Sequence, residues 1–99
     1  MSSSSPSIAG VFDFMKLDDA KKSYDTKDYN SSAQIYEEYA KKTDNGQAYY
    51  NAGNAYYKNK EYLKALSAYS FARIKNKDLH NYPVPIIISK YMDNFYNGK

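Results

Sequence analysis

Displaced by 33 residues, the chain lies over itself. "AKKSYDTKDYNSSAQIYEEY", beginning at Ala20, falls on "GNAYYKNKEYLKALSAYSFA", beginning at Gly53. Tyr24 meets Tyr57, Tyr29 meets Tyr62 and Tyr36 meets Tyr69, while Lys27-Asp28 meets Lys60-Glu61. Small residues coincide as well, Ala20 with Gly53 and Ser32 with Ala65. Tyrosine is abundant, thirteen in 99 residues, so a single coincidence would carry little weight. Three tyrosines in register with a matching Lys-acid-Tyr triplet and matching small positions are another matter. The chain holds two copies of one unit, and a period of this length is the mark of a repeat architecture.

Each copy reads as two helices. In the second, Tyr49, Ala52, Gly53 and Tyr56 recur at the spacing of one helical face, and Tyr62, Ala65, Leu66, Tyr69 and Ala72 mark another. "KNKE" separates them. In the first, Leu17, Ala20 and Tyr24 lead to a turn near "DTKD", then to Tyr29, Ser32, Ala33, Tyr36 and Tyr39. "TDNG", Thr43 to Gly46, joins the copies as a helix stop followed by a turn. An all-α chain follows, with repeats at about 13–45 and 46–79.

Composition decides how such helices can pack. Leu, Ile and Val are few and Tyr is many, so the core must bury large rings while leaving each hydroxyl a partner or water. That suits a thin fold in which every helix reaches the surface. A glycine inside a helix costs about 1 kcal/mol relative to Ala, so Gly53 needs a reason. The expected reason is close approach of the two helices of the second copy. Gly53 lies opposite Ala65 and Ala72, with Tyr56 and Tyr69 filling the flanks, and Ala20 and Ser32 repeat the arrangement.

On these residues the second copy resembles a tetratricopeptide (TPR) repeat, with Tyr49, Ala52, Gly53, Tyr56, Ala65, Tyr69 and Ala72 at the pattern positions. The first copy departs at Lys16, Asp19, Ser23 and Tyr39. The whole run from Phe12 through "LHN" is similar to the TPR region of bacterial Bat-type, aerotolerance-associated proteins, which implies a membrane-associated parent protein. The TPR resemblance implies a solenoid of two helix-turn-helix repeats, used as a non-catalytic protein-interaction scaffold. It implies a groove formed by the first helices and lined here by Leu17, Lys21, Tyr24, Gln47, Tyr50, Asn51, Asn54, Tyr57 and Lys58. The helical spacing agrees, since these positions fall off the face that meets the second helix. Tyr50 and Tyr57 also admit a plain packing role between repeats. Some TPR proteins clamp a terminal carboxylate with Lys and Asn. Asn51 occupies one such position, but Leu17 and Lys21 stand where Lys and Asn belong, against a clamp of that kind.

The ends must cover what two repeats leave open. Residues 1–7 read as a flexible lead-in, and Ile8, Val11, Phe12 and Met15 extend or cap the first helix. Residues 80–99 read as a capping segment whose helix starts at about Pro85, a residue suited to a first helical turn. A strand at "VPIIIS" is the competing reading, and "LHN" looks like the stump of a third repeat.

No catalytic constellation, metal site or cofactor site is legible. His80 is the sole histidine and there is no cysteine. Asp18-Asp19 and Glu37-Glu38 read as solvated faces, and Asn30-Ser31-Ser32 matches a glycosylation triplet. Residues 1–45 carry net −2 and residues 46–99 net +5. The basic residues are dispersed, which argues against a nucleic-acid surface, single-stranded RNA remaining the alternative of that class. A signal peptide and a membrane-spanning run are both absent from the sequence pattern. A peptide-binding module is the leading expectation, and self-association through an exposed repeat end the second.

Overall fold

The computed structural model describes residues 8–96, with side chains from Phe14 to Asp93. The lead-in expected at 1–7, and the side chains of Ile8, Val11 and Phe12, lie outside the described residues. Five α-helices follow in order: α1 Ile8–Asp25, α2 Tyr29–Thr43, α3 Gly46–Lys58, α4 Tyr62–Lys75 and α5 Ile86–Tyr96. A 3-10 turn, Lys77–Asn81, separates α4 from α5. No strand occurs among the described residues. "VPIIIS" is therefore helical from Ile86, with the Pro85 carbonyl accepting from Ser89 N at 2.9 Å.

The two intra-repeat turns match atom for atom across the 33-residue offset. Lys27 N donates to Tyr24 O and Lys60 N to Tyr57 O, both at 3.0 Å. Asp28 N reaches Ser23 O at 2.8 Å, and Glu61 N reaches Tyr56 O at 2.9 Å. Both lysines adopt left-handed backbone, φ 68° and 64°. That conformation lets the last carbonyls of a helix find donors before the chain reverses. Aromatic pairs brace both turns, Tyr24–Tyr29 at 5.2 Å and Tyr57–Tyr62 at 5.3 Å between ring centroids. Only the caps differ. The short Asp28 carboxylate accepts from Ser31 N, whereas Glu61 makes no cap bond and instead accepts from Asn59 and pairs with Lys64.

Between the copies, the turn is confined to Asp44 and Asn45, within "TDNG". Asp44 takes the left-handed position at φ 56°, and Asn45 caps α3 by accepting from Ala48 N at 2.9 Å. Gly46 is already helical and buried. A Cβ there would meet Ala72 O and Asn76 Cβ at 3.0 Å, so glycine is needed for the approach of α3 to the end of α4. Lys75 closes the same corner with a 2.7 Å ion pair to Asp44.

Consecutive helices pack on one another from α1 to α5, and the molecule measures 50 × 32 × 18 Å. The short axis fits two layers of helices about 10 Å across. The main core joins Ala20, Ala33, Ala52, Ala55, Ala65 and Ala68 with the rings of Tyr36, Tyr56 and Tyr69, closed by Ile88 and Met92 of α5. Alanine brings the backbones together and tyrosine fills the space. One expectation is corrected here. Tyr69 does not flank Gly53: its ring lies directly on the glycine, whose absent Cβ would be 2.7 Å from the ring carbon Cδ1. Ser32 is fully buried and donates to Ala20 O at 2.9 Å, which occupies the hydroxyl of the glycosylation triplet.

Candidate functional site

Side chains of α1 and α3, with Tyr36 of α2, line an open groove. Its wider part, about 630 Å³, is lined by Phe14, Met15, Leu17, Tyr36 and Asn51 together with the charged Asp18, Asp19, Lys21 and Lys22. Its narrower continuation, about 200 Å³, is lined by Lys21, Tyr24, Asp25, Tyr36, Asn51 and Asn54. The mouth is mainly apolar and the inner end polar. Spacing explains the lining, because Leu17, Lys21 and Tyr24 follow one another at i, i+4 and i+7 along one side of α1. Asn51 and Asn54 do the same, one turn apart, on α3.

Polar groups in the groove have defined states. Burial, with the neighbouring Tyr29 and the Asp25 carboxylate, pushes the Tyr24 hydroxyl above its usual range. Burial and Asp25 do the same for Tyr36. Both remain hydroxyl donors at neutral pH. Lys21 is tethered to Asp25 at 3.2 Å. Asn54 accepts the Tyr69 hydroxyl at 2.6 Å, so one end of this amide holds the core and the other lines the groove.

Of the positions expected from the sequence, Leu17, Lys21, Tyr24, Asn51 and Asn54 come together here. Gln47, Tyr50, Tyr57 and Lys58 lie outside both parts of the groove. Gln47 and Lys58 are exposed. Tyr57 packs against the core edge and Tyr62. Tyr50 is placed by a contact across the chain: its hydroxyl donates to Pro83 O at 2.5 Å and its ring meets those of Tyr69 and Tyr82. The segment after the 3-10 turn thus covers the Tyr50 side of α3.

Tyr36, a buried ring of the core, also lines the groove, and the sequence reading does not include it among the groove positions. The repeat carried the signal. Tyr36 corresponds to Tyr69, and Tyr69 reaches Asn54, whose counterpart is Lys21. Glu37 is a second correction. Rather than a solvated carboxylate, it accepts the hydroxyl of buried Tyr56. Burial and this bond hold the Tyr56 hydroxyl well above the usual range. Among the described residues, no group of three His, Cys, Asp or Glu side chains could hold a metal ion, and no helix is long and apolar enough to cross a membrane.

The chain matches no family model, no curated protein and no solved structure.

Proposed function

We propose that the protein is a two-repeat, TPR-like interaction module that binds an extended peptide segment of a partner protein in the α1–α3 groove, without catalysing a reaction. The observation that carries this reading is the make-up of the groove. An apolar mouth at Phe14, Met15 and Leu17 continues into hydroxyl and amide groups at Tyr24, Tyr36 and Asn51. An extended peptide offers both kinds of group, side chains to bury and backbone carbonyls that accept hydrogen bonds. Rigid aromatic groups also lose little conformational freedom on binding.

Peptides selected from a random library on the intact domain provide the test. Leu17→Ala combined with Asn51→Ala should weaken a selected peptide by more than about 1 kcal/mol, the level that marks a meaningful interface residue. Lys58→Ala, outside the groove, should leave binding unchanged. Asn54 is unsuitable for this purpose because its replacement would also unpair Tyr69. Selected peptides that ignore the Leu17/Asn51 change but lose affinity with Lys58→Ala would overturn the groove assignment.

A further inference from the structure

The first copy of the repeat leaves one hydroxyl over. Tyr36 and Tyr69 hold the same place in the two copies, and both are buried, at 8% and 1% exposure. The Tyr69 hydroxyl donates to Asn54 Oδ1 at 2.6 Å. Where the second copy has Asn54 the first has Lys21, whose ammonium only donates and cannot accept from a hydroxyl. Among the described residues the Tyr36 hydroxyl has no hydrogen-bond partner. No fully buried side-chain oxygen or nitrogen among them lacks one, so this hydroxyl reaches open space. The space that Tyr36 lines is the α1–α3 groove, in both its wide and its narrow part. A buried ring thus presents an unclaimed donor to the groove.

The narrow inner end is polar but carries no net charge. Its charged groups are Lys21 and Asp25, which neutralise each other at 3.2 Å through Asp25 Oδ2. Asp25 Oδ1 is left as an acceptor, and the Asn51 amide of the same lining can both donate and accept. A charged side chain entering here would find no unpaired counter-charge, and burying it would cost far more than burying a neutral polar group. An apolar side chain would close over the Tyr36 hydroxyl and strand it. What fits is a neutral group with an acceptor and a donor on separate atoms, able to reach α2 and a neighbouring helix at once. We infer that this inner end is a specificity pocket for a side-chain amide, glutamine or asparagine, of the bound peptide. The amide carbonyl accepts from the Tyr36 hydroxyl, and the amide NH₂ donates to Asp25 Oδ1 or to the Asn51 carbonyl. The volume of about 200 Å³ has room for one such side chain. This inference rests on peptide binding in the α1–α3 groove and adds which residue the groove selects.

Peptides selected from a random library on the intact domain test it, with Leu17→Ala reporting on the mouth and Tyr36→Phe on the inner end. The selected peptides should share a Gln or Asn at one position. Changing that residue to Leu should weaken binding about tenfold, the consequence of stranding a buried polar group. Tyr36→Phe should weaken the amide-bearing peptide about three- to tenfold, the net worth of one hydrogen bond, and should not weaken the Leu-bearing one. The melting temperature of Tyr36→Phe should equal that of the parent, because the hydroxyl holds nothing in the free fold. A lowered melting temperature would reveal an internal bond and overturn the inference. Peptides that lose affinity with Leu17→Ala but share Glu, Lys or Leu in place of the amide overturn the amide specificity and leave the groove assignment standing. So do groove-bound peptides that bind Tyr36→Phe as tightly as the parent. Peptides indifferent to both substitutions overturn the groove assignment, and the inference with it.

Discussion

A Cβ at position 53 would stand 2.7 Å from Cδ1 and 2.8 Å from Cε1 of Tyr69, closer than real side chains come. The ring cannot easily give way. Tyr69 is 1% exposed and its hydroxyl is held by Asn54. Gly53→Ala should therefore destabilise the domain although alanine is the better helix former. Overpacking costs about 1 to 3 kcal/mol, against a gain of about 1 from helix propensity. Chemical denaturation with an unchanged or raised midpoint would show that Tyr69 can move aside. The Tyr69–Asn54 bond makes its own prediction. Tyr69→Phe should cost about 1 kcal/mol, the usual net worth of one hydrogen bond. Asn54→Ala should cost at least as much, because it leaves a buried hydroxyl without its acceptor. A double-mutant cycle measures the coupling, and a coupling near zero would refute the bond as a structural element.

At the scale of elements, the paired turns hold the clearest local strain. Lys27 and Lys60 sit in left-handed backbone, which costs an L-residue about 1 to 2 kcal/mol where glycine adopts it freely. Lys27→Gly and Lys60→Gly should each stabilise the protein by some tenths of a kcal/mol to about 1, net of glycine's greater entropy loss. Being in separate turns, the two gains should add. Thermal melts of both single variants and the double variant check this. These turns were legible in the sequence because they lie inside the repeating unit, where every contact is a few residues long. Leu17, Lys21, Tyr24, Asn51 and Asn54 were legible through the TPR resemblance, with which their helical spacing agrees. The contacts of Tyr50 were not legible, because Pro83 and Tyr82 arrive from outside the repeat and no periodicity records them. Glu37 escaped for a like reason. Its partner, Tyr56, belongs to the other copy, and the neighbouring Glu38 made both carboxylates look like surface. The 3-10 turn at Lys77–Asn81 buries Leu79 against Tyr49 and Ala72, a contact that the repeat pattern does not encode.

Across the whole molecule, the abundance of tyrosine sets how stability responds to pH. Tyr24, Tyr36, Tyr50, Tyr56 and Tyr69 all have hydroxyls pushed up by burial first, with Tyr69 and Tyr56 the furthest. A group whose folded pKa exceeds its unfolded value stabilises the fold fully below the unfolded value, and that stabilisation fades as pH rises. Stability should thus be flat on the alkaline side until about pH 10, the unfolded tyrosine value, and fall steeply beyond it. Tyrosinate absorbance from these five buried rings should rise together with the loss of helical circular dichroism. Their ionisation with the helices intact would contradict the burial described here. The order of packing, each helix against the one before it, also governs how quickly this chain finds its structure. Partners that are near in sequence need little loop closure before they meet, and helical proteins of that kind fold in about microseconds to milliseconds. A polypeptide leaving the ribosome can set α1 against α2 while α4 is still being made, and α5, emerging after α4, brings Ile88 and Met92 to seal the alanine seams.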